Sequence, residues 1–450
     1  VKILSNIRGI IRNAHPDHHA IAKGMASVAL FVFLGKLAGA SKEMAIAYRY
    51  GISAEVDAYL LIFNLISWPV SIWLSVLSFV LIPLIAQIQR NNLTDIPKFR
   101  AELLAFTLLL GLNLTLVFRL GLPALLSSSW LGLSAFTQRA ALNTIPSMLV
   151  LAPLGLLINL FSVWLLSAGR HLNTLLEGIP ALVILMTVLL LPHHGIEALV
   201  WGTVVGSIFH LIGIAIPLAQ QDEIEKPSFT QHTAQWSVFW QGFGIILVGQ
   251  TLMSFATLVD QFFAARLNIG AIATLSYAGR IMALILGLGA TAIGRATLPI
   301  FSRIQADGDN KLHEITSRWT NILFMIGLVA MLMAWWLAPW CVKLLFERGA
   351  FTAENTKAVV DVFRYSSIQL PFYFAGLVCY TALSSYGAHK AMLLVSIMCL
   401  LVKGGANFLL IPMLGLISIP ISTALMYAVF FLMSKLAVSA FFSKNYKGFY

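Results

Sequence analysis

Charge is what this sequence has least of. Only 10% of its 450 residues are charged and 59% are hydrophobic, with a mean hydropathy of +0.86, whereas a soluble domain carries about 25% charged residues. That excludes a water-soluble globular fold. Acids are scarcer still, 18 against 29 Lys and Arg, for a net charge of +11. The basic residues are scattered between apolar runs and form no patch that a nucleic acid would need, so no nucleic-acid partner is expected. The three cysteines, Cys341, Cys379 and Cys399, sit in apolar segments without metal-ligand spacing, which leaves no disulfide framework and no metal site, only small buried hydrophobes. Polar outer loops are missing as well: the longest, about Pro123 to Thr144, is mostly Leu, Ser and Ala. A membrane-bound polymerase or ligase would need catalytic groups there, so no catalytic residue and no cofactor is expected. His193-His194 falls at a helix end and reads as interfacial. The stretch to about His19 is polar and has no signal-peptide core, so it is expected to be a cytoplasmic arm.

What the chain has in abundance is apolar runs of membrane-spanning length, about 20 residues each. Six fall near 24–48, 57–88, 101–124, 145–168, 174–192 and 196–219, and six more near 235–263, 268–303, 315–346, 355–385, 388–411 and 413–440. Between the sixes lies a polar connector, Gln220 to Thr233. The expected fold class is an all-α polytopic membrane protein of twelve helices in two parallel six-helix repeats around a central cavity. The expected division is an arm (1–22), a first lobe (23–219), a linker (220–234), a second lobe (235–440) and a tail (441–450). Placing the N-terminus inside puts sixteen of the Lys and Arg on the inner side and seven on the outer, which predicts cytoplasmic termini.

Landmarks of the first half recur in the second. Pro83 matches Pro299, Pro153 matches Pro371, Gly169 matches Gly387, and Pro192 with Gly195 matches Pro412 with Gly415, at offsets of 216 to 220. Two copies of six spans enter the membrane from one side, and substrates of such transporters bind near the midplane between the copies. Pro69, Pro153, Pro371, Gly287, Gly289 and Gly294 weaken spans where hinges would lie. Gly35 and Gly39 equally offer a small-residue surface for close helix packing.

Six cations remain inside spans: Lys36, Lys42, Arg280, Arg295, Arg364 and Lys403. A cation at the bilayer centre costs roughly 2.5–3.5 kcal/mol on insertion scales, so it faces a bundle interior or a water-filled cavity. Lys36 lies about 21 Å below the turn at Tyr50-Gly51. Few acids oppose these cations, chiefly Glu43, Asp260 and Asp361. Asp361 and Arg364 are three apart and can pair on one helix face, and Arg295 is near enough to a span end to snorkel. Lys36, Lys42 and Arg280 stay in surplus, and a positive cavity suits an anionic substrate, phosphate above all.

These residues sit in stretches with a family likeness. GKLAGASKE with the following Asp57-Ala58-Tyr59, SYAGRIM at 276–282, LLFERGAF at 344–351 and NFLLIPMLG at 407–415 resemble the MurJ/MviN flippases of the MOP exporter superfamily, over nearly the whole chain. The resemblance implies a non-enzymatic transporter of the bacterial inner membrane. By alternating access it would move an undecaprenyl-pyrophosphate-linked oligosaccharide to the outer leaflet. Lys36, Lys42, Glu43, Arg280 and Arg364 are the expected substrate-binding residues; the lipid-linked saccharide and the bilayer are the expected partners, with polysaccharide or cell-wall synthesis enzymes beside them. Lipid II flippases of this kind carry arginines where Lys36 and Lys42 stand, have an arginine in the second span where Phe63 to Trp73 has no base, and continue to fourteen spans. A surface-polysaccharide precursor is therefore the expected cargo, with lipid II, or a small molecule moved by cation coupling, as the alternatives. Some members hold sodium among spans seven, eleven and twelve, which implies a coupling role for Asp260, Lys403 and Asn407. Here the lysine would stand where the metal ion does.

The topology is open to a direct check. A cysteine placed in Gln220 to Thr233 is expected to be shielded from an impermeant thiol reagent in intact cells, and one near Ala353 to be labelled. The reverse pattern would invert the assignment of sides.

Overall fold

The computed structural model describes residues 16–91, 95–129, 131–168, 170, 172–191, 195–230, 233–306, 312–385 and 388–446. Residues 1–15 of the expected arm, His193-His194, the repeat landmarks Gly169, Pro192 and Gly387, and the side chain of Arg295 lie outside what is described. Among the described residues every regular element is helical. In chain order these are α1 (Pro16–Tyr50), α2 (Ala54–Val76), α3 (Ile82–Asn91), α4 (Asp95–Ser127), α5 (Ala135–Met148), α6 (Leu151–Ser167), α7 (Leu172–Leu176), α8 (Ile179–Leu190) and α9 (Glu197–Ala219). The second half holds α10 (Gln235–Ala265), α11 (Ala271–Ala306), α12 (Leu312–Phe346), α13 (Ala353–Ser367), α14 (Leu370–Ser385), α15 (His389–Leu414) and α16 (Ser418–Tyr446). Each expected apolar run falls on one helix or a consecutive pair, giving twelve passes in an all-α polytopic membrane protein.

The breaks within passes have local causes. A π-helical turn over Leu77–Leu81 joins α2 to α3, just where Pro83 removes a donor from the ladder. The fourth pass is bent by 49° between α5 and α6, and there Pro153 cannot donate to the carbonyl of Leu149. This pass also starts earlier than the hydropathy suggests. Ser134 Oγ accepts from Thr137 N at 3.1 Å and caps α5, so the loop expected from about Pro123 to Thr144 shrinks to the residues between α4 and α5.

The chain forms two compact units, one of 1–46, 76–115 and 150–240, the other of 47–75, 116–149 and 241–450. This partition differs from the lobe division expected at the central linker, because 47–75 and 116–149 group with the second half. In the first unit α9 packs on α8 and α6, and in the second α16 packs on α15 and α14, the same pairs one repeat later. A finer match supports the duplication. A methyl added to Gly111 on α4 would lie 2.9 Å from Pro153 Cβ, and one on Gly327 of α12 would lie 2.5 Å from Pro371 Cα. Gly111 and Gly327 stand 216 apart, and both prolines seat against the glycine of the preceding pass.

Apolar side chains turn both ways, as a bilayer solvent allows. On α9, Leu199, Val200, Val204, Ile214 and Leu218 are buried while Trp201, Phe209, Ile212 and Ile216 are exposed. The glycines expected as hinge or packing sites divide. Gly289 has Phe374 2.2 Å from where its methyl would be, whereas Gly35, Gly39 and Gly287 have nothing within 4 Å. Close packing accounts for Gly289, and for Gly35 as the surface that Gly178 approaches, since a methyl on Gly178 would lie 3.3 Å from Gly35 Cα; Gly39 and Gly287 have open space.

Candidate functional site

In the first unit the candidate charges lie on α1. Lys42 Nζ pairs with Glu43 Oε1 at 2.9 Å, and both side chains are largely buried. Lys36, about two turns away, is exposed and has no ion-pair partner among the described residues. In the second unit Arg280, on α11, is also exposed.

Arg364 does not pair with Asp361 as the spacing allowed. Its Nε donates to the Trp335 carbonyl at 3.1 Å, and its guanidinium lies 5.9 Å from the Trp335 ring centroid. The reason is four residues further along α12. Pro339 has no N–H to offer the Trp335 carbonyl, and in a membrane-embedded helix the freed carbonyl needs another donor. Arg364 supplies it, so at least this face of the guanidinium is committed to the helix and not to a substrate.

Asp260, Lys403 and Asn407 come together from α10 and α15. Lys403 is 1% exposed, and its Nζ lies 2.6 Å from Asp260 Oδ1. The ammonium also donates to the Ile419 carbonyl at 3.3 Å and to Thr423 Oγ1, both at the start of α16. Asn407, one turn after Lys403 on the same face, donates from Nδ2 to Asp260 Oδ1 at 3.3 Å. A buried ammonium is thus enclosed by a carboxylate, a hydroxyl and a backbone carbonyl, all oxygen acceptors. Sequence reasoning missed Ile419 and Thr423. Their only signal is a threonine one turn into a helix, too common to single out.

A second cluster of the second unit gathers three of the motifs that carried the family likeness. Asp57 is 3% exposed, and its two carboxylate oxygens accept from Gly270 N at 2.6 Å and Ala273 N at 2.7 Å. It thereby caps α11 from a distant part of the chain and satisfies two of that helix's orphan donors. Tyr277 hydroxyl donates to the Gly51 carbonyl at 3.1 Å, and its ring packs 5.1 Å from Phe346 and 5.5 Å from Phe351. Ala350 N donates to the Tyr48 carbonyl at 2.7 Å. Gly349 has φ +60°, and a methyl there would lie 2.3 Å from the same carbonyl oxygen. The glycine in LLFERGAF is required twice, by its backbone conformation and by the approach of the α1–α2 turn.

The family described as Lipid II flippase MurJ matches residues 46–449. The chain belongs to that family. A probable lipid II flippase MurJ of Bdellovibrio bacteriovorus is 28% identical over 178 residues, which is 39% of this chain and 34% of that protein. The lipid II flippase MurJ of Burkholderia cenocepacia is 21% identical over 423 residues, 87% of this chain and 79% of the relative. Among solved structures, a lipid II flippase MurJ in an inward closed conformation superposes with TM-score 0.80 at 19% identity, covering 92% of this chain and 87% of that one. An inward-facing MATE transporter of the MOP superfamily gives 0.76 at 15% identity, with 92% and 96% covered. The chain is therefore a MurJ-family transporter and not an enzyme, a multi-pass protein of the inner membrane. The named relatives are lipid II flippases, the reading placed second to a surface-polysaccharide cargo on the sequence.

Removing the Asp57 carboxylate strands two backbone donors of α11, a loss of about 1–3 kcal/mol for each unsatisfied buried group. Asp57→Ala is expected to lower the thermal melting temperature of the purified transporter, and Gly349→Ala to lower it as well. Melting unchanged in both would show that this cluster does not hold the helices together.

Proposed function

We propose that this chain translocates an anionic polyprenyl-pyrophosphate-linked saccharide between leaflets by alternating access, with lipid II as the first candidate. The observation that carries the reading is the surplus of cations at spanning positions of α1 and α11. Lys36, Lys42 and Arg280 outnumber the acids of their spans, among which Glu43 lies next to Lys42 in sequence, and a pyrophosphate offers the charge such a set would neutralise. In this reading the lobes alternate between inward-open and outward-open states, both termini are cytoplasmic, and saccharide or cell-wall synthesis enzymes supply the substrate.

One feature favours a second cargo. An ammonium binds phosphate as a point charge, without the bidentate fork of a guanidinium, so Lys36 and Lys42 relax the geometry that arginines would impose. A capsular or exopolysaccharide precursor fits that looser demand. Rescue of growth in cells depleted of their own lipid II flippase would favour lipid II, and restored surface-polysaccharide export without such rescue would favour the other cargo. In whichever assay responds, Lys36→Gln combined with Arg280→Gln is expected to abolish activity with the membrane level of the protein unchanged. Lys36→Arg should be tolerated better than Lys36→Gln, and full activity of the double variant would overturn the cation assignment.

Asp260, Lys403 and Asn407 form the coupling element of this proposal. The Lys403 ammonium, held by Asp260 Oδ1 at 2.6 Å, takes the place that a mobile cation would otherwise fill, so sodium is not required. Breaking a buried pair by removing one partner costs about 3–5 kcal/mol, because the remaining charge is left uncompensated. Lys403→Ala is therefore expected to be worse than Lys403→Ala with Asp260→Ala. Activity and membrane level, each measured with sodium and with potassium in its place, test this. Sodium-dependent activity of the unaltered chain, or a double variant no better than the single ones, would reject it.

A further inference from the structure

The segment between the halves is not a free tether in this fold. It folds back on the first turns of α4 through contacts that alternate along both strands of chain. Ser228 N donates to the Ala101 carbonyl at 3.1 Å. The next residue of α4, Glu102, is 4% exposed and receives four hydrogen bonds from the linker and the start of α10. Thr230 Oγ1 reaches Oε1 at 3.2 Å. Thr233 N, Thr233 Oγ1 and Trp236 Nε1 reach Oε2 at 3.4, 2.7 and 2.8 Å. Earlier in the linker, Glu223 is bound by Arg100 at 3.4 Å and by Arg170. The Trp236 ring then packs edge-on against Phe99 and Phe106, at 5.6 Å from each.

Each contact has a reason to persist. Glu102 is a buried charge whose four donors come from one short stretch, so lifting that stretch strips the carboxylate of these partners and uncovers the Trp236 indole together. Arg100 and Arg170 share a single acid, so withdrawing Glu223 leaves two guanidinium groups facing each other. The compact unit that contains the first part of α4, to Thr115, and the linker also extends six residues into α10, ending at Trp240.

We propose that the linker is a permanent clasp. Residues 223–230 and 233–240 stay fixed to α4 throughout the working cycle, with Glu102 as the positioning residue, and any movement of the second half begins beyond Trp240. The inference does not rest on the identity of the cargo.

Amide hydrogen exchange of the full chain in nanodiscs tests it without an activity assay. The Ser228 and Thr233 amides are expected to exchange at least tenfold more slowly than an unstructured peptide. Glu102→Ala is expected to restore fast exchange at both, while Glu102→Asp recovers part of the protection. Fast exchange at Ser228 and Thr233 in the unaltered chain would overturn the clasp. A second measurement distinguishes a permanent clasp from one that opens. In Ala101→Cys with Ser228→Cys, the disulfide formed by mild oxidation should leave lipid translocation within twofold of the same sample after reduction. The probe is a fluorescent short-chain polyprenyl-pyrophosphate disaccharide in proteoliposomes. Failure of the reduced sample to move the probe would count against the proposed cargo and leave the exchange result standing for the clasp. Loss of translocation on oxidation with recovery on reduction, or no disulfide at all, would show that the linker leaves α4.

Discussion

A backbone group inside hydrocarbon cannot be left without a partner, since no water is there to replace a missing bond. Every regular element among the described residues is helical for that reason, and the breaks within passes are the places where the rule would otherwise fail. Pro339 removes the donor that the Trp335 carbonyl would have had, and Arg364 restores it from the next helix. At the start of α11 the N–H groups of Gly270 and Ala273 find their acceptors in the two carboxylate oxygens of Asp57 from α2. Lys403 places its ammonium on the Ile419 carbonyl where α16 begins. Arg364 and Asp57 are in this sense repairs to the backbone, while Lys403 first of all answers the carboxylate of Asp260.

This ordering changes how intramembrane charge is read. Arg364 and Lys36 both stood among the expected substrate-binding residues, although Arg364 had Asp361 within pairing distance on its own helix. Arg364 has a backbone carbonyl and an indole face to answer to, whereas Lys36 has no partner among the described residues. The same distinction separates Lys403 from Lys42. Lys403 is enclosed by oxygens from two other helices. Lys42 pairs with its sequence neighbour Glu43 on the same helix. Removing Lys403 would loosen three helices together, and removing Lys42 would alter the charge of one surface.

Much of the architecture was legible in the residues. Twelve apolar runs, the mid-chain connector and the recurring prolines suffice for two six-span repeats, because hydropathy and proline act locally on the helix that contains them. The Gly111–Pro153 and Gly327–Pro371 contacts show why those prolines recur, since each needs a glycine on the preceding pass to seat it. What stayed hidden depends on partners far apart in the chain. Asp57 looks like an ordinary acid in a first helical turn until α11 arrives more than 200 residues later. Glu102 resembles an inner-surface charge until the linker folds onto it. The start of the fourth pass was hidden for another reason: Ser134 caps a helix whose first turns are too polar for a hydropathy window to include.

Family motifs and chemical motifs also separate in space. The Asp57 segment, SYAGRIM and LLFERGAF meet at one cluster of turns where the glycine conformations, a helix cap and three aromatic rings are mutually dependent. That mutual dependence is sufficient physical reason for the cluster to look alike across relatives at low overall identity, since a change in any one element leaves the others strained or unsatisfied. Arg280 shares the SYAGRIM stretch with Tyr277 but not its role. Tyr277 is buried against Phe346 and Phe351, and Arg280, three residues on and nearly one helical turn away, is exposed. One short sequence thus both fixes the turn cluster and presents a cation, and only the second of these can vary with the cargo without disturbing the packing.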